Sequence, residues 1–123
     1  MSAAPDHAVP PARIADPTAI GLICLAIGCA ALTPMAFGMA LTPAGLQTAA
    51  IFCLLFGAGG QAVAGLGNLL NHNVYGGTLF TSFAFNWVVN WWALDGVSLG
   101  QVVDPTVVLA VDICFLVVFL VFT

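Results

Sequence analysis

Beyond Arg13 the chain has no lysine or arginine, and only Asp16, Asp95, Asp104 and Asp112 carry charge through to the last residue. Uncharged stretches this long cannot form the outside of a water-soluble domain. The chain is 62% hydrophobic and 5% charged, whereas an ordinary soluble domain is roughly 45–50% apolar and about 25% charged. The composition predicts an integral membrane protein. It also lacks the clustered Lys and Arg that a nucleic-acid partner requires, so that class is excluded.

Residues 1–16 are polar, contain Pro5, Pro10 and Pro11, and read as a disordered tail. They lack the layout of a secretory signal, in which a basic segment opens onto a short apolar run and a small-residue cleavage site. Residues 17–123 read as one transmembrane helical domain with spans at 18–37, 43–70, 78–94 and 105–123. Crossing ~30 Å of hydrocarbon takes roughly 20 apolar residues, so the third span is short unless it extends into Tyr75–Gly77. Asp16-Pro17, Thr42-Pro43 and Asp104-Pro105 each place a capping side chain before a proline, the pattern of a helix start. Asn71-His72-Asn73 with Gly76-Gly77 reads as a flexible link, and Asp95-Gly96 as the end of the third span. Short links favour antiparallel neighbours. No run alternates apolar and polar residues like a barrel strand, so the fold class is an all-α polytopic bundle.

Arg13 flanks the first span and favours a cytoplasmic N-terminus. The apolar run from Phe115 to Phe122 leaves only Thr123 after it, which predicts that the sequence stops within or just after its fourth span.

Gly21, Gly28 and Ala31, and likewise Gly57, Gly60 and Ala64, recur at helical spacing. In lipid such residues let helix backbones approach closely. Their plain reading is packing; the sharper one is room for a narrow conduit. Polar side chains inside spans are costly and face the bundle interior or water. Gln61, Thr81, Ser82, Asn86 and Asn90 are of this kind, and Asp112 is a candidate buried ionisable group. Trp91 and Trp92 read as an interfacial belt, with Trp87 deeper. His72 reads as a solvated loop residue, with pH sensing as the alternative. Cys24, Cys29, Cys53 and Cys114 sit in apolar runs without a Cys-x-x-Cys pair or a spaced histidine, and read as packing residues. No catalytic triad, carboxylate pair, metal set or phosphate loop is present, so neither an enzyme nor a cofactor is predicted.

Two stretches point further. Residues Asp16 to Leu22, Asp-Pro-Thr-Ala-Ile-Gly-Leu, resemble the Asn-Pro-Ala-Pro-Leu-Gly-Leu signature that opens the acetate uptake transporter family. From Phe56 to Trp87 the chain is similar to that family's second and third helices. It carries in order Gly57, Gln61, Ala64, Gly65, Leu66, Asn73, Gly76, Thr78, Phe80, Thr81, Ser82 and Trp87. The resemblance implies the first four of six helices, assembly as a homo-hexamer in the cytoplasmic membrane, and proton-linked or channel-like passage of acetate, succinate and related small carboxylates. It implies a polar pathway with Gln61, Thr81 and Ser82, an apolar constriction at Leu25 and Phe83, and a helix-start motif at Asp16, Pro17 and Gly21. The chain departs from the family at Asp16 for asparagine, Asn68 for glutamate, Leu25 for an aromatic and Phe83 for tyrosine. Other readings of the same residues are a structural or assembly protein, and a pore for a neutral solute such as urea or ammonia.

Overall fold

The computed structural model describes Pro11 and residues 14–122. Most of the expected N-terminal tail, the orientation argument from Arg13, and Thr123 lie outside the described residues. Among the described residues every regular element is helical. Helix α1 is Thr18–Ala36, α2 is Pro43–Phe52, α3 is Gln61–Leu70, α4 is Val74–Ser98 and α5 is Pro105–Phe122. Between α2 and α3 the chain stays helical but winds as a π-helix over Cys53–Gly60, so Pro43–Leu70 is one continuous helix.

The helix starts follow the expected chemistry. Thr42 Oγ1 accepts from Gly45 N at 3.1 Å, with Pro43 in the first turn. Asp104 Oδ1 accepts from Thr106 N at 2.8 Å. Pro17 itself takes the cap position of α1, and Asp16 one residue earlier accepts from Thr18 N at 2.9 Å.

The helix ends are a different matter. The expected flexible Gly76-Gly77 link and the expected stop at Asp95-Gly96 both lie inside α4. Asn73 starts α4 by accepting from Gly76 N at 2.9 Å. Gly76 and Gly77 are then held in the helix by close packing on Asn68 and Leu69, where a side chain would collide. The stop falls instead at Gly100, whose φ of +79 is one that L-residues avoid. There Gln101 N returns to Gly96 O at 2.9 Å and Gly100 N to Val97 O at 3.0 Å, satisfying two carbonyls at the helix end. The same reversal ends α1 around Gly38 and α3 around His72, which adopts a φ of +62.

Small residues fix the packing. A Cβ on Gly21 would lie 2.6 Å from Phe80 and 2.8 Å from Ala64, and one on Gly67 would lie 2.8 Å from Pro17. Gly57 and Gly28 both lie against the Trp87 ring, Gly60 against Cys24, and Gly65 against Thr81. Helix α1, the Cys53–Leu70 half of the long helix, and α4 therefore meet along one three-way seam. Helix α5 stays outside it, touching α4 through Phe115 and Phe119 on Phe83 at ring distances of 5.9 and 4.7 Å.

The resulting polarity is inverted. The buried set is mainly Gly, Ala and Cys with Gln61 and Asn68, joined by Phe80 and Trp87. Leu22, Ile23, Leu55, Leu66, Phe85 and Leu116, among many others, are exposed. Soluble proteins bury such side chains, and large exposed apolar patches mark contact with lipid or a partner. Helix α1 and the Pro43–Leu70 helix are long and apolar enough to cross a membrane. Helix α4 is long enough but less hydropathic, and Pro105–Val121 is apolar but shorter.

Candidate functional site

Gln61 is the first residue after the π-helical stretch and is 0% exposed. Neither its amide nitrogen nor its amide oxygen has a hydrogen-bond partner. Over nine in ten buried polar groups have one, so such an orphan marks strain, function or an ordered water. Each hydrogen bond of a π-helix spans one residue more than in an α-helix, and stretches of this kind recur at functional sites. One turn before Gln61 lies Gly57 against Trp87, whose indole Nε1 is also buried and unpartnered. One turn after it lies Gly65 against Thr81, whose hydroxyl shares that condition. Three unsatisfied polar groups thus follow one seam.

The remaining sequence candidates separate into three places. Leu25 and Phe83 are half-buried and pack against the same cluster of Cys53, Ala58 and Trp87, joined by Trp91. Ser82 is exposed and turns to the other side of α4, where it lines a small recess with Thr78, Phe83, Phe115 and Phe119. It does not share the Gln61 seam. Asp112, a candidate buried ionisable group, is exposed, because α5 buries none of its described residues against the bundle. It lines a groove of about 300 Å³ between α4 and α5 with Asn86, Asn90 and Asp104. Asn90 Nδ2 donates to Asn86 O at 3.1 Å, a bond within its own helix.

The helix-start motif does two things. Gly21 lets α1 approach Phe80 and Ala64, while Pro17 closes on Gly67. Hydrogen bonds from Thr18 hold the exposed Asp16 carboxylate below the usual 3.8, and bonds from Thr106 do the same for Asp104. A depressed folded value means the carboxylate favours the folded state above the unfolded pKa and loses that contribution as pH falls through the folded one. We expect a double Asp16→Ala, Asp104→Ala variant to lose less thermal stability than the parent on acidification below 3.8. Parallel melting curves across that range in detergent test it.

Sequence reasoning missed the role of Asn68. It is 1% exposed, donates through Nδ2 to Ala64 O at 2.9 Å, and accepts from Asn73 Nδ2 at 2.7 Å and Thr18 Oγ1 at 3.4 Å. Asn71 pairs beside it with both the N–H and the C=O of Ile14, each at 3.0 Å. This polar joint ties the entry to α1, the end of α3 and the start of α4. Only the recurrence of asparagine around His72 hinted at it.

The fold and seam together define an all-helical bundle with small and polar residues inside and large apolar ones outside. Comparison with protein families, with curated proteins and with solved structures finds no match.

Proposed function

We propose that this chain is a membrane transporter or channel for acetate and related small carboxylates, succinate among them, with passage linked to protons. The observation that carries the reading is the seam itself, where Gln61 and Thr81 hold unpaired polar atoms between glycines at the centre of an inverted bundle. A small carboxylate exchanging hydration water for the Gln61 Nε2–H and Thr81 O–H donors would give those donors their missing partner. The half-buried Leu25 and Phe83 then act as an apolar neck, which a neutral acid crosses far more cheaply than its anion. In this reading all four long helices cross the cytoplasmic membrane, the N-terminus faces the cytoplasm, and copies assemble into a hexamer. The exposed apolar faces are the support for lipid and subunit contact.

The test is uptake of radiolabelled acetate by reconstituted vesicles, measured above protein-free vesicles, with and without an inward proton gradient. Acetate entry should rise with the gradient, and urea should not enter. Phe83→Ala should change acetate flux several-fold, because it removes the ring that joins the neck to Phe115 and Phe119. Equal flux and selectivity in this variant would remove Phe83 from the path. The complete enclosure of Gln61 favours a second reading, in which the helices only pack. Vesicles that admit neither acetate nor succinate would decide for it.

A further inference from the structure

We infer that Gln61 takes the substrate as the protonated acid, so that the proton enters on the substrate and not on the protein. This rests on the carboxylate reading above and assigns the chemical species at its central side chain. A primary amide presents an N–H donor and a C=O acceptor side by side on one edge. A carboxylic acid presents the complement, a C=O acceptor beside an O–H donor, and the two close a ring of two hydrogen bonds. A carboxylate presents two acceptors, one of which would meet Gln61 Oε1 lone pair to lone pair. Both amide atoms of Gln61 are unpartnered, so the match does not depend on which way the amide is turned. The Thr81 hydroxyl can donate or accept and does not discriminate, and the Trp87 Nε1–H can serve the carbonyl oxygen of either form.

The surroundings point the same way. On α1 the titratable group nearest this level is the Cys24 thiol beside Gly60, and on the long helix it is Cys53. The α4 residues buried on the seam, Gly76, Gly77, Phe80, Ala84 and Trp87, do not titrate, and neither does Thr81. Asp95 lies near the far end of α4, and Asp112 faces the separate groove beside α5. Among the described residues no carboxylate, imidazole or amine faces the amide to receive a proton. A fully enclosed site without a charged partner favours the neutral form of whatever enters it. Entry requires the helices to part beside Gln61, which directly follows the π-helical stretch carrying Gly57, Gly59 and Gly60.

The experiment compares formate, the stronger acid, with acetate in reconstituted vesicles across a pH series. The pH of half-maximal uptake should follow each acid's own pKa, and formate should lag acetate by its smaller protonated fraction. Gln61→Leu should lower uptake about tenfold or more, the loss of a hydrogen-bonded pair. The variant should still fold, with an unfolding midpoint equal to or above the parent's, because it removes two unpaired buried atoms. Gln61→Glu keeps a donor and an acceptor only while protonated. Its uptake should show an additional break, set by the glutamate and therefore at the same pH for both substrates. A parent whose half-maximal pH is identical for the two acids would place the proton on the protein and overturn the inference. Unchanged uptake by Gln61→Leu would overturn it too, leaving the amide to a trapped water. If the parent moves no carboxylate, the transport reading itself falls, and this inference with it.

Discussion

Gly57→Ala should lower the unfolding midpoint in detergent, while Gly59→Ala, two residues along the same helix, should leave it unchanged or raise it. At Gly57 the added methyl would overlap the Trp87 ring, with Cγ at 2.6 Å and Cε3 at 2.7 Å. The ring has nowhere to retreat. It is 5% exposed, and Gly28 stands on it so closely that a Cβ there would lie 3.0 Å away. Forcing extra volume into a packed site costs about 1–3 kcal/mol. At Gly59 the nearest atom to a new Cβ is Leu54 O at 3.5 Å, an ordinary contact. There the lower backbone entropy of alanine in a helix contributes about 0.5–1 kcal/mol of stability. Equal shifts in the two variants would mean that the seam is not set by close approach at Gly57.

Asn68→Ala should destabilise the chain by about 1–3 kcal/mol, the opposite sign from Gln61→Leu. The two residues are both buried amides on α3. Asn68 serves three partners, Ala64 O, Asn73 Nδ2 and Thr18 Oγ1, whereas Gln61 serves none. Truncating Asn68 strands those groups and loosens the joint at His72. Removing Gln61 strands nothing. Melting curves give the sign, and faster proteolysis at the His72 link in the Asn68 variant locates the damage. A melting point for Asn68→Ala equal to the parent's would show that the joint is not a fastening.

That contrast also marks how far the sequence could be read. Apolar runs and proline-led starts at Pro17, Pro43 and Pro105 place the helices within a few residues, because these signals are local. The ends resist the same reading. Gly76, Gly77 and Gly96 look like breakers and are helical, since what holds Gly76 and Gly77 there is Asn68 and Leu69 on another helix. The π-helical turn leaves no periodic trace; only the crowding of Gly57, Gly59 and Gly60 coincides with it. At the candidate site, residue type predicts that Gln61 and Thr81 are expensive inside a span, but a satisfied amide and an orphaned one look alike in one dimension. Ser82 follows Thr81 by a single residue, and a helix turns it to the other face. Asp112 is exposed because the fit of α5 against its neighbours, not its hydropathy, decides burial.

Helix length adds a mechanical consequence. The 19 residues of α1 span about 28 Å at 1.5 Å per residue, near the ~30 Å of a bilayer's hydrocarbon. The 28 residues of Pro43–Leu70, eight of them in the more tightly stacked π-helix, run about 40 Å. Two rods of such different length, joined by one short turn, cannot both stand upright in the same slab. The longer one leans or protrudes. The two helices touch where Gly60 meets Cys24, and toward Pro43 a groove of about 430 Å³ opens between them beside Pro34, Met35 and Phe52. If both helices cross a bilayer, its thickness acts on the angle between them, and a thinner membrane would pry at the Gly60–Cys24 contact next to Gln61.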